Sequence, residues 1–183
     1  MTIIVIAISV SQYSSNKIDN EAVKAVSPKD ATYNIDGRLI ALKGGISVES
    51  IAPDSVSKMT TQYFGNEVVH DFDGDGGLDV AFILTQNTGG SGTFYYVVIG
   101  LNTIKGYIGS QGFLLGDRIA PQTTQMSDNP KTPNVIVVNF ADRKQGESFS
   151  VQPSIGKSVW LLLDPKTMQF GEVAQNFEGE SYR

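Results

Sequence analysis

The sequence predicts an all-β fold, mainly antiparallel: a sandwich or an open, barrel-like sheet of about nine or ten short strands. Three observations lead there. Apolar runs are short and are bounded by Gly, Pro, Asn and Asp; there are 19 Gly among 183 residues; and no long stretch keeps the 3.6-residue period of an amphipathic helix. With 40% apolar and 18% charged residues, the chain is neither disordered throughout nor a coiled coil. Its length suits one domain with a full core, alone or with a tail.

The elements follow in order. Residues 1–10, Met-Thr-Ile-Ile-Val-Ile-Ala-Ile-Ser-Val, form an apolar segment well short of the ~20 residues that span a bilayer. It has no basic leader and no small-residue cleavage site. Three readings stand open: a truncated export signal or membrane anchor, a strand pairing with its own sheet or another subunit's edge, or a buried helix. Residues 11–30 read as a polar linker with at most a helical turn near Glu21–Val26. The β-rich domain is expected over 31–177, and 178–183 as a frayed tail.

Thr32–Ile35, Asp36-Gly37 and Arg38–Leu42 predict a two-residue hairpin with a type I′ turn. Residues 51–64 fit a helical face through Val56, Met59 and Tyr63, but Thr60–Phe64 fits a strand better. Val80–Thr85 and Thr93–Leu101 predict paired strands, with Asn87–Gly92 as the connection. Both are apolar without alternation, so both faces should be covered. Further strands are expected at Tyr107-Ile108, Phe113–Leu115, Val135–Phe140, Val159–Leu163 and Gln169–Val173, with Asp164–Thr167 as a turn between the last two.

Charge is unevenly spread. The net charge is −5, which argues against a nucleic-acid-binding surface. No Lys or Arg lies between Lys58 and Lys105, a window that holds Glu67, Asp71, Asp73, Asp75 and Asp79. Outside it, 14 basic and 14 acidic residues cancel (19 acids in all, five within). Carboxylates packed so closely repel unless water or a cation separates them. Their spacing, Asp71-x-Asp73-x-Asp75-Gly76-x-x-Asp79, matches the first nine positions of an EF-hand calcium loop. Alternate acids direct oxygens to one centre, Gly76 permits the sharp turn, Gly77 offers a carbonyl, and Asp79 binds directly or through water. Asp71, Asp73, Asp75, Gly77 and Asp79 are therefore the candidate Ca²⁺ ligands, hard oxygen donors in a number that suits calcium better than magnesium. Phe82 stands where the EF-hand has its bidentate Glu, and strands rather than helices flank the loop.

Strand, loop and strand, with Phe64-Gly65 upstream, resemble the calcium loops of integrin-type FG-GAP repeats over about Tyr63–Leu84. No second copy occurs, so a propeller does not follow. Separately, Gly92–Val98, Leu115–Thr124 and Val135–Arg143 occur in an order similar to that of small secreted or lipid-anchored bacterial β-domains without an assigned activity. That resemblance implies export and a β-rich fold. The absence of cysteine excludes lipidation at a cysteine, disulfides and thiolate metal sites.

No reaction is legible. The single histidine, His70, has no nucleophile motif beside it. Gly89-Gly90-Ser91-Gly92 lacks the Gly-Lys-Ser/Thr of a phosphate loop and reads as a hairpin tip. Asp117-Arg118 and Asp142-Arg143 read as local ion pairs or turn anchors. Trp160 with Tyr95, Tyr96 and Tyr107 would suit a carbohydrate platform, but within apolar strands they read as core. The expectation is an extracytoplasmic calcium-binding β-domain with a structural or binding role at the cell surface. The alternatives are a subunit of an extracellular filament or surface assembly pairing through its N-terminal strand, or a hydrolase.

Overall fold

The computed structural model describes residues 25–174. The apolar segment 1–10, most of the linker and the tail lie outside them, and with them the readings of an anchor, a donated strand or a buried helix. A single 3-10 turn, Pro28–Asp30, precedes twelve strands: β1 (Thr32–Ile35), β2 (Arg38–Ala41), β3 (Ile46–Ser50), β4 (Lys58–His70), β5 (Asp79–Asn87), β6 (Phe94–Thr103), β7 (Gly106–Gly109), β8 (Phe113–Asp117), β9 (Ala120–Met126), β10 (Val135–Asp142), β11 (Ile155–Asp164) and β12 (Gln169–Glu172). Among the described residues all strand pairs are antiparallel, and no sheet closes into a barrel. Among the described residues no helix is long and apolar enough to cross a membrane.

A large sheet in the order β3-β4-β5-β6-β7, with β8 also pairing β6, forms the middle of the domain. One of its faces, through Ala81, Ile83, Val97 and Ile99, packs on Ile136, Val138, Phe140 and Leu161 of a four-stranded sheet ordered β12-β11-β10-β9. The other face, through Phe82, Leu84, Tyr96 and Val98, packs on Tyr33, Ile35 and Ile40 of the β1-β2 hairpin. The sandwich thus has a third, smaller layer, and this explains why β5 and β6 are apolar without alternation: both faces are covered. Phe82 sits at the centre of the smaller core, edge-on to Tyr33 at 5.6 Å and tilted against Tyr63 at 5.5 Å.

The β1-β2 turn takes its type I′ form through two residues at positive φ, Asp36 at 50° and Gly37 at 81°. Asp36 also accepts a hydrogen bond from the Tyr96 hydroxyl at 2.6 Å, which fastens the turn to the large sheet. Gly37→Ala should lower stability by about 1 kcal/mol in urea unfolding with an unchanged slope, because a Cβ strains this left-handed backbone although space is open around it.

The ambiguous stretch 51–64 resolves into bends and turns followed by β4 from Lys58. That strand is irregular: its register against β5 shifts between Tyr63 and Gly65 and again before Val68. At the irregularity the Asn66 side chain donates to the Gln122 carbonyl at 3.2 Å, tying β4 to β9 of the other sheet. Beyond it, β4 resumes pairing and ends at His70, opposite Asp79.

Candidate metal centre

The acidic loop, residues 71–78, is the connection of the β4-β5 hairpin, so its ends are fixed by the His70–Asp79 strand pair. Phe72 points inward: it is buried in the larger core and lies edge-on to the His70 ring at 5.3 Å. This inward anchor leaves Asp71 and Asp73 half-buried and Asp75 exposed. Asp79, the first residue of β5, is fully buried.

The Asp79 carboxylate holds the loop shut. One oxygen accepts the Phe72 N–H at 2.8 Å and the other accepts the Asn102 N–H, at the end of β6, at 2.7 Å. Burial raises its pKa, the two N–H groups act in the opposite direction, and the charges of Asp73 and Asp75 add to the rise. Asp71 behaves differently. Burial would raise its pKa, but the N–H groups of Gly76 and Gly74, at 3.0 and 2.7 Å, outweigh that effect and hold it below the usual carboxylate value. Gly74 and Gly76, at φ 79° and 87°, supply the positive-φ backbone that aims those N–H groups inward.

Asp71, Asp73 and Asp79 each offer a carboxylate oxygen, and these three atoms lie within 4.8 Å of one another. Asp75 does not join them. Its carboxylate accepts the Gly77 N–H at 2.6 Å, closing a tight turn within the loop. Gly77 itself lies against the end of β6, where a Cβ would meet the Asn102 carbonyl at 3.1 Å. Three converging carboxylates with no basic residue in the surrounding sequence fit a hard divalent cation. Sequence reasoning missed Asn102: its backbone, not its side chain, does the work, and only the β5-β6 register brings it to Asp79.

No family model, curated protein or solved structure matches this chain. The site is therefore read from its own chemistry.

The remaining candidates fall into place as structural parts. His70 pairs through Nε2 with the Asn134 side-chain oxygen at 2.8 Å, a contact that orients the ring at the loop entrance. Gly89-Gly90-Ser91-Gly92 lies in the β5-β6 connection as a hairpin tip. Asp117 and Arg118 make the expected local pair, with guanidinium–carboxylate distances of 2.7–3.1 Å. Asp142 instead pairs with Lys157 across the β10-β11 ladder at 2.6 Å. That frees Arg143 to donate to the carbonyls of Arg118 and Val151, and the guanidinium groups of Arg118 and Arg143 lie over the Phe149 ring. Tyr96 is core as expected, whereas Trp160 is not: it projects from the outer side of the four-stranded sheet, half-buried.

The Arg118 hydrogen bonds hold the Asp117 carboxyl below its usual pKa. A depressed folded-state pKa contributes stability above the unfolded value of about 3.9, and that contribution disappears as pH falls through the folded value. Asp117→Asn should therefore cost at most about 1 kcal/mol at pH 7 and progressively less as the pH is lowered through the acid range, read as the difference in urea midpoint from the parent at each pH.

Proposed function

We propose that the chain is an extracytoplasmic calcium-binding β-domain in which one ion, held by Asp71, Asp73 and Asp79 with Asp75 and the Gly77 carbonyl completing the shell, staples the β4-β5 hairpin. The observation that carries this reading is the convergence of the three carboxylates at a hairpin whose closing residue, Asp79, is buried. Such a cluster is self-repelling when empty, so a divalent cation gains both the ligand contacts and the relief of that repulsion. Outside the cytoplasm, calcium near a millimolar keeps even weak loops loaded, since extracellular modules bind with dissociation constants of about 0.1–1 mM. The role is structural: the loop joins two strands of the central sheet, and the geometry contains no nucleophile–base pair around His70 among the described residues.

The direct test is titration of the metal-stripped full chain with calcium in a calorimeter. One equivalent should bind to the parent, and Asp73→Ala, which deletes a half-exposed ligand, should abolish the heat. Binding of the same stoichiometry in that variant would place the ion elsewhere, and no heat in the parent would end the calcium reading. Magnesium should compete weakly, because a loop of this size favours the larger, less strictly octahedral ion.

A further inference from the structure

The outer face of the four-stranded sheet, turned away from the large sheet, has a composition unlike the rest of the surface. Alternate residues of Thr123–Gln125, Val135–Ala141, Gly156–Asp164 and Gln169–Val173 point outward, and of these fourteen only Asp164, at the turn end of the β11-β12 ladder, is charged. The face is banded. One band is apolar: Val137 is only 7% exposed although it faces away from the core, and its cross-strand neighbour is Trp160, with Leu162 beside it. The adjoining band is a polar ladder across three strands. Ser158 donates through its hydroxyl to the Asn139 side-chain oxygen, and Asn139 donates through its side-chain nitrogen to the Thr123 hydroxyl at 2.8 Å. The ladder holds these groups in a row, and among the described residues the Thr123 hydroxyl hydrogen and the second Asn139 N–H have no partner.

We propose that this face binds a neutral polysaccharide, with a sugar ring stacked on Trp160 and its hydroxyl groups bonded to the Asn139–Ser158–Thr123 ladder. A pyranose presents an apolar C–H face beside a rim of hydroxyls that both donate and accept. An aromatic ring next to a fixed row of amide and hydroxyl groups matches that banding. Anionic glycans and phospholipid headgroups call for cationic side chains, and the face offers none. A second copy of the chain is a poorer match in size. Four strands about 4.8 Å apart and about 20 Å long give a footprint of about 400 Å², half the roughly 800 Å² per partner of a stable complex. The proposal is independent of the calcium loop.

Trp160 is the only tryptophan, so its fluorescence reports this face alone. The full chain is co-sedimented with insoluble cellulose, starch and chitin, and its emission is followed on addition of the matching soluble hexasaccharides. Retention on at least one polymer with a saturable emission change is expected. Trp160→Leu should weaken retention about tenfold or more, equal to about 1.4 kcal/mol, while Trp160→Phe stays within about threefold of the parent. Ser158→Glu puts a charge at an exposed position and should abolish retention without moving the unfolding midpoint. No retention of the parent on any of these polymers overturns the proposal, as does retention unchanged in Trp160→Leu and Ser158→Glu. A dimer in sedimentation velocity that Ser158→Glu dissociates would assign the face to a second copy and equally overturn it.

Discussion

Calcium at about a hundred times its dissociation constant is expected to raise the thermal unfolding midpoint of the full chain by about 5–10 °C over the value in EGTA. The magnitude follows from mass action. A ligand at that excess that binds only the folded state contributes about 2.7 kcal/mol, and each kcal/mol moves the midpoint of a domain of this size by about 2–4 °C. The unfolded chain competes poorly, since its carboxylates converge only when the His70–Asp79 pair closes the hairpin. The double variant Asp73→Ala, Asp75→Ala should lose the whole calcium increment. A midpoint indifferent to calcium would make the acidic loop an exposed anionic patch, with its repulsion relieved by water alone.

Asp79→Ala should destabilise the protein by about 2–4 kcal/mol even in EGTA, whereas Asp73→Ala in EGTA should change stability by less than about 1 kcal/mol. The two residues belong to the same cluster but do different work. Asp79 is buried, and its two carboxylate oxygens accept the Phe72 and Asn102 N–H groups. Removing it orphans both donors, at about 1–3 kcal/mol for each buried group. Asp73 accepts only the exposed Asp75 N–H at 3.0 Å, which water replaces. Urea unfolding of both variants with and without calcium separates the terms: Asp79→Ala should lose stability in both conditions, Asp73→Ala in calcium alone. Equal losses in EGTA would show that the hydrogen bonds of Asp79 contribute no more than those of an exposed turn.

Much of the fold was legible because its signals are local. Asp36-Gly37 encodes a turn with two positive φ angles, and the apolar runs 80–85 and 93–101 announce strands covered on both sides. The strands that escaped reading, β3 and β9, lack that signature. In β9, Ala-Pro-Gln-Thr-Thr-Gln-Met carries a proline and only one large apolar residue, so pairing with β10 rather than composition makes it a strand. In β3 the pattern is inverted: Ile46 and Val48 are exposed while Ser47 and Glu49 are half-buried, because the strand lies at an edge past the cover of the four-stranded sheet. Within the candidate site, the spacing singles out the acids, three of which the structure brings together, but it does not carry their division of labour. That Asp75 turns to Gly77 and Asp79 reaches Asn102 depends on backbone geometry that a motif does not carry. Trp160 was read as core for a related reason. An apolar strand in an outer layer has one solvent face, and the residues alone do not say which layer a strand occupies.

The three-layer arrangement bears on the order in which parts of the domain open. Amides of β5 and β6, shielded on both sides, should exchange with deuterium only when the whole domain unfolds, while those of β3 and β12, at sheet edges, should exchange through local fraying. The acidic loop is spliced directly into the first of those slow strands. An ion bound there is coupled to the last unit to open, so calcium should slow deuterium uptake across β5 and β6 by the same factor and leave the edge strands nearly untouched.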